Sequence, residues 1–172
     1  GDGKKDVVPY FKRTNGTAWQ SGSAIEPRPL FGLDILTKSD PSRVIFIVEG
    51  EKVATALHSL GLVAITSQGG SNAADMTDWT PIEGCERVYL LPDNDDAGER
   101  YAKAVAAILA GLTNPPSLSL VRLPNLPIGG DAADWIARYI DNVLLDWDGF
   151  NPVPECGVDM KALLLDFQKT VD

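Results

Sequence analysis

Acids fall at three junctions of this chain where a strand-like run or a glycine loop gives way to a new segment. Glu49 closes Val44-Ile45-Phe46-Ile47-Val48. Asp93 and Asp95 follow Arg87-Val88-Tyr89-Leu90-Leu91 and a proline, and Asp131 and Asp134 follow Gly129-Gly130. Carboxylates brought together repel and raise one another's pKa unless cations neutralise them. Oxygen donors with no His or Cys nearby select hard ions, so this set points to Mg2+ or Mn2+ rather than zinc. Such ions serve phosphoryl chemistry, in which a protein positions charge more than it makes bonds. Each acid also has a plainer reading. Glu49, Asp95 or Asp96 can cap the helix that follows it, and Asp131 with Asp134 has the spacing of a capping box. Recurrence at three junctions favours a shared site. Asp96 is read as a cap or a solvent-facing residue, and Asp2, Asp6, Asp34, Asp75 and Asp78 as surface.

A small-residue loop and one lysine accompany the acids. In Thr66-Ser67-Gln68-Gly69-Gly70-Ser71-Asn72, Gly69 and Gly70 let backbone N–H groups approach a phosphate closely, although a flexible loop is the simpler account. Lys52 is either a point charge for a phosphate or an ordinary exposed helix lysine. His58 is expected on an exposed face. Tyr89, Tyr101 and Tyr139 read as core or half-core, which leaves no phenolic nucleophile. There is no Gly-x-x-x-x-Gly-Lys-Ser/Thr loop, so ATP-driven helicase activity is not expected of these residues.

The elements that must position these groups alternate. Strand-like runs at 44–48, 62–65, 87–91 and 117–123 are separated by helical patterns at 51–60, 99–112 and 132–145, with a short helix at 73–79 closed by Pro81. Gly61 is placed for a left-handed cap of the first helix. Strands alternating with helices imply an α/β fold with a mostly parallel sheet of about four strands, covered by helices on both faces. Parallel strands bring their carboxyl ends to one edge, which is how Glu49, Asp93 and Asp131 can meet. Ahead of this unit, 7–23 reads as a β-hairpin turning at Thr14-Asn15-Gly16, and 30–37 as one or two helical turns. Behind it, Asp159 starts a last helix with Leu163, Leu164 and Phe167 inward. The expected division is a hairpin and linker at 1–28, a catalytic domain at 29–148, and a linker and helix at 149–172.

With 172 residues, 44% hydrophobic and 23% charged, the chain suits one globular domain with a small appendage. Its net charge of −9 argues against a broad electrostatic footprint for nucleic acid, yet cations held by the acids would invert the local field. Cys85 and Cys156, with His58 as the one histidine, do not make a zinc cluster and read as free thiols in a reducing compartment. No apolar run reaches the roughly 20 residues that span a bilayer. A cytoplasmic location without membrane attachment is expected, and the polar start at 1–5 reads as a boundary within a longer polypeptide.

Val44–Lys52, Leu90–Ala97 and Gly130–Trp135 together resemble the Toprim domain of topoisomerases and primases, in particular the primase or primase/helicase branch of phages and mobile elements. The resemblance spans about 29–145. It implies a Rossmann-like Toprim fold. By that resemblance Glu49, Asp93 and Asp95 are the catalytic acids holding the metals, with Asp131 as the later acid beside them, and Lys52, Gly69 and Gly70 lie near nucleotide phosphates. It further implies primer synthesis from nucleoside triphosphates on a single-stranded DNA template, with flanking helicase or zinc-binding domains. A Toprim-type DNA nuclease and a non-catalytic metal- or nucleic-acid-binding module are the alternatives. One departure matters: bacterial primases carry an acid four residues after the Glu, where this chain has Val53, which bears on the second metal.

Overall fold

The structure, a computed structural model, describes residues 10–12, 16–22, 25–40 and 42–145. The expected hairpin turn at 14–15, the side chain of Tyr139, Cys156 and the helix expected after Asp159 lie outside what is described.

A four-stranded, wholly parallel sheet forms the centre, from β3 (Ile45–Val48), β4 (Val63–Ile65), β5 (Arg87–Leu91) and β6 (Ser117–Leu120), in the order β4-β3-β5-β6. A two-stranded antiparallel hairpin, β1 (Tyr10–Phe11) with β2 (Gln20–Ser21), stands apart from it. Helices α1 (Leu33–Leu36), α2 (Glu51–Ser59), α3 (Asp96–Ala110) and α4 (Ala132–Leu145) cover the sheet. No helix among the described residues is long and apolar enough to cross a membrane.

The unbroken apolar runs of β3 and β5 have a simple cause: both strands are interior and both faces are covered. Ile45, Ile47, Val88 and Leu90 point to one side, where Tyr101, Val105 and Leu109 of α3 join Leu30, Leu36, Trp79 and Ile82. Phe46, Val48, Tyr89 and Leu91 point to the other, against Val53, Ala54 and Leu57 of α2 and Trp135 and Ile136 of α4. The edge strand β6 is only partly covered, as its alternation of Ser and Leu requires. In place of one helix at 73–79 there are two 3-10 turns, Ala74–Met76 and Thr80–Ile82. Pro81 lies within the second turn, where its missing N–H costs nothing, rather than closing the first.

After β3 the chain moves outward to β4, then returns to place β5 on the opposite side of β3. Strand order therefore reverses between β3 and β5, and their register pairs Val48 with Leu91. The crevice beyond the carboxyl ends at such a switch point is where open α/β sheets bind ligands. Glu49 and the Pro92–Asp93 segment stand side by side at its mouth.

The start of α3 is fitted tightly to that mouth. A side chain at Gly98 would overlap the Asp93 carbonyl oxygen and come within 2.8 Å of the Asp93 nitrogen. Gly98→Ala is therefore expected to lower stability by roughly 2 kcal/mol, as overpacking does, and to displace Asp93. A urea-unfolding midpoint unchanged from the parent chain would show that the close approach is not a constraint.

Candidate metal centre

Glu49 is half-buried at the end of β3. Its carboxyl is pushed up by burial and by repulsion from Asp95. Hydrogen bonds from the Ser71 side chain and the Asp93 backbone, and the charge of Arg100, pull the other way. Its Oε2 atom is buried without a hydrogen-bond partner. A buried carboxylate oxygen left bare is costly, and a cation is the partner that would satisfy it.

Asp93 shows the same tension more strongly. Burial, then repulsion from Glu49, Asp131 and Asp95, raises its pKa to about 7, with Lys52 opposing the rise. The Pro92–Asp95 loop that carries it is clamped to the turn before α4. Asn94 N–H donates to the Gly130 carbonyl (2.9 Å) and Gly129 N–H to that of Asn94 (2.9 Å). The Asn94 side chain donates to the Leu126 and Pro127 carbonyls at 2.8 and 3.1 Å. This clamp brings the Asp131 end of α4 beside the strand tips.

The other two acids are already engaged. Asp95 is the N-cap of α3, its Oδ1 accepting from Gly98 N–H at 2.8 Å, while Asp96 is exposed in the first turn. Asp131 and Asp134 form a reciprocal capping box at the start of α4, through bonds of 2.8 and 3.2 Å to each other's backbone N–H. Lys52 Nζ lies 2.8 Å from Asp131 Oδ2 and 3.6 Å from Asp134 Oδ1. Among the described residues no three His, Cys, Asp or Glu side chains form a ready-made metal cage. Mg2+ generally keeps several waters and binds through one or two carboxylates plus substrate phosphates. The bare Glu49 Oε2, the crowded Asp93 and the all-oxygen donor set fit such an ion.

The glycine loop lies across the crevice from α2. Gly69 and Gly70 have φ of 107° and 77°, values open to glycine and strained for other residues. Gly69 N–H faces Glu51 Oε1 at 3.4 Å, and Ser67 Oγ holds the Gly70 carbonyl at 3.3 Å. Underneath, the fully buried Tyr101 hydroxyl meets Ser67 Oγ at 3.2 Å. Arg28, from the segment before α1, reaches the Gln68 carbonyl at 3.3 Å. Ser71, Arg28 and Arg100 carried no sequence signal, because each acts through a partner distant in the chain. His58 also differs from expectation. Its ring is half-buried, 2.7 Å from the Ala64 carbonyl and stacked on Phe31, because α2 packs its last turn on the end of β4.

Residues 44–122 match the family model of the Toprim domain. No curated protein sequence matches the chain. Its fold is similar to that of the primase fragment of the bacteriophage T7 primase-helicase protein. Sequence identity is 20% and the TM-score 0.55, over 82% of this chain and 57% of that one. It is also similar to the DnaG catalytic core, at 17% identity and a TM-score of 0.50, over 81% of this chain and 48% of that one. At these identities the likeness is one of fold, and the chain spans about half the length of either solved chain.

The carboxyl of Asp93 titrates at about 7 in the folded chain, against about 3.9 when unfolded. The folded state thus holds the extra proton between these values. The corresponding stability is fully present below about pH 4 and lost as pH rises through about 7. Asp93→Asn should therefore stabilise the metal-free chain near pH 8 by about 1 kcal/mol, after discounting for the solvent screening of a half-buried group. The gain should vanish toward about pH 4. Urea unfolding of both proteins across this range checks it, and a difference independent of pH would remove the assigned repulsion.

Proposed function

We propose that the chain carries the Toprim catalytic domain of a primase, which joins ribonucleotides on a single-stranded DNA template with Mg2+ or Mn2+. The observation that carries this reading is the bare, buried Glu49 Oε2 beside the crowded Asp93, at the switch point of a parallel sheet. The Toprim match and the primase-like fold support it.

Glu49 and Asp93 would hold the ion, and Asp95, with Oδ1 fixed by Gly98 N–H, would contribute its remaining oxygen. When bound, the ion supplies positive charge that neutralises a triphosphate and lowers the pKa of an attacking 3′-hydroxyl. The protein's part is placement. The β3–β5 register, which pairs Val48 with Leu91, brings Glu49 beside the Pro92–Asp93 segment, the Asn94 clamp adds Asp131, and the Gly69–Gly70 loop and Lys52 would line the approach for nucleotide phosphates. Because the net charge is −9, the ion and partner domains would carry most of the attraction for DNA. The T7 neighbour is a fragment of a primase-helicase protein, which supports a flanking helicase domain.

A synthesis assay with single-stranded DNA, nucleoside triphosphates and Mg2+ or Mn2+ tests this reading. Short ribonucleotide products are expected. Shortened DNA would assign a nuclease, and neither product would leave a metal- or nucleic-acid-binding module. Asp93→Asn combined with Asp95→Asn should cut synthesis at least about 100-fold, the scale of losing transition-state charge stabilisation, and weaken divalent-ion binding in calorimetry. Asp96→Asn should do far less, and an equal loss would place the site on the wrong acid.

A further inference from the structure

We propose that Lys52 is a built-in substitute for a second divalent cation, so that the acid cluster takes one divalent ion rather than two. This rests on the metal-centre reading above. The acids of the crevice fall into two halves that differ in how they are satisfied. On one side Glu49 keeps a buried oxygen with no partner, and Asp93 is pressed by its neighbours. On the other side both oxygens of Asp131 are taken. Oδ1 receives the Asp134 N–H at 2.8 Å and Oδ2 meets Lys52 Nζ at 2.8 Å.

The same ammonium lies 3.6 Å from Asp134 Oδ1 and acts on Asp93 as an attractive charge. Lys52 thus contacts both acids at the start of α4 and also offsets the repulsion felt on the Glu49 side, as an ion between Asp93 and Asp131 would. Its side chain is 70% exposed, so it reaches this place across the surface and takes nothing from the core. The neighbouring position reinforces the division. Val53, where the resemblance would put another acid, is buried among Phe46, Val48 and Trp135. It offers no oxygen to a second ion, and the first turn of α2 presents a cation to the crevice instead.

Titration of the chain with Mn2+, followed by calorimetry and by the electron paramagnetic resonance signal of free Mn2+, reads the stoichiometry directly and without catalysis. One ion per chain is expected for the parent protein and two for Lys52→Met, which keeps the length and helix preference of the side chain. Adding Asp131→Asn to Lys52→Met should return the count to one, through loss of the second ion's carboxylate. Two ions in the parent chain would overturn the inference while leaving the metal centre in place, as would a count that stays at one in Lys52→Met. No ion in the parent chain would remove the metal centre itself, and the inference with it.

Discussion

Pairing of β3 with β5 sets two acids just beyond the ends of adjacent interior strands, and much of the molecule answers the repulsion that results. A strand buried on both faces cannot turn its terminal acid far into water, so Glu49 keeps one oxygen out of solvent and without a partner. Asp93, one strand over, is held by the tight approach of Gly98 to its backbone. The core cannot relax this strain, because moving either tip would break the alternation that sends Ile45 and Ile47 to one layer and Phe46 and Val48 to the other. Charge has to be managed from outside the sheet.

The capping interactions supply part of that management. Asp95 and Asp131 satisfy helix ends and favour the positive ends of the α3 and α4 dipoles. Capping and metal binding are therefore compatible at Asp95. Asp95 gives one oxygen to Gly98 N–H, and the carboxylate has a second. For Asp131 the balance differs, since a cap worth about 1 kcal/mol and an exposed ion pair worth about 0–1 kcal/mol both stand against recruiting it. Neither constraint acts on Glu49 Oε2, so under the proposed reading the least engaged oxygen for a cation lies on the Glu49–Asp93 side.

Much of this was legible in the sequence because the relevant signals are local. The apolar runs at 44–48 and 87–91 read as strands, Gly61 as a left-handed cap with φ of 73°, and Asp131 with Asp134 as having capping-box spacing. Each is decided within a few residues. The single helix expected at 73–79 is one 3-10 turn at Ala74–Met76, packed on α3, followed by a second at Thr80–Ile82. His58 reads as exposed on a helical wheel, yet the Ala64 carbonyl and the Phe31 ring enclose it. Support of the glycine loop by Arg28 and Tyr101 was illegible for the same reason, since both reach it from segments far along the chain.

Lys52 sits where local and long-range information diverge. Within its own helix it is an exposed lysine in a first turn, where the macrodipole disfavours a cation by a few tenths of a kcal/mol. A lysine placed against its own helix dipole calls for a compensating partner, and Asp131, 79 positions later, provides it at 2.8 Å. The dipole of α4 explains why the acid is there, since its first turn favours negative charge and gathers Asp131 and Asp134. Two helix starts thus face each other across the crevice, one carrying a cation and one carrying acids. Each offsets the other's charge, while Glu49 and Asp93, just beyond the ends of β3 and β5, have no such ion pair and keep the repulsion between them.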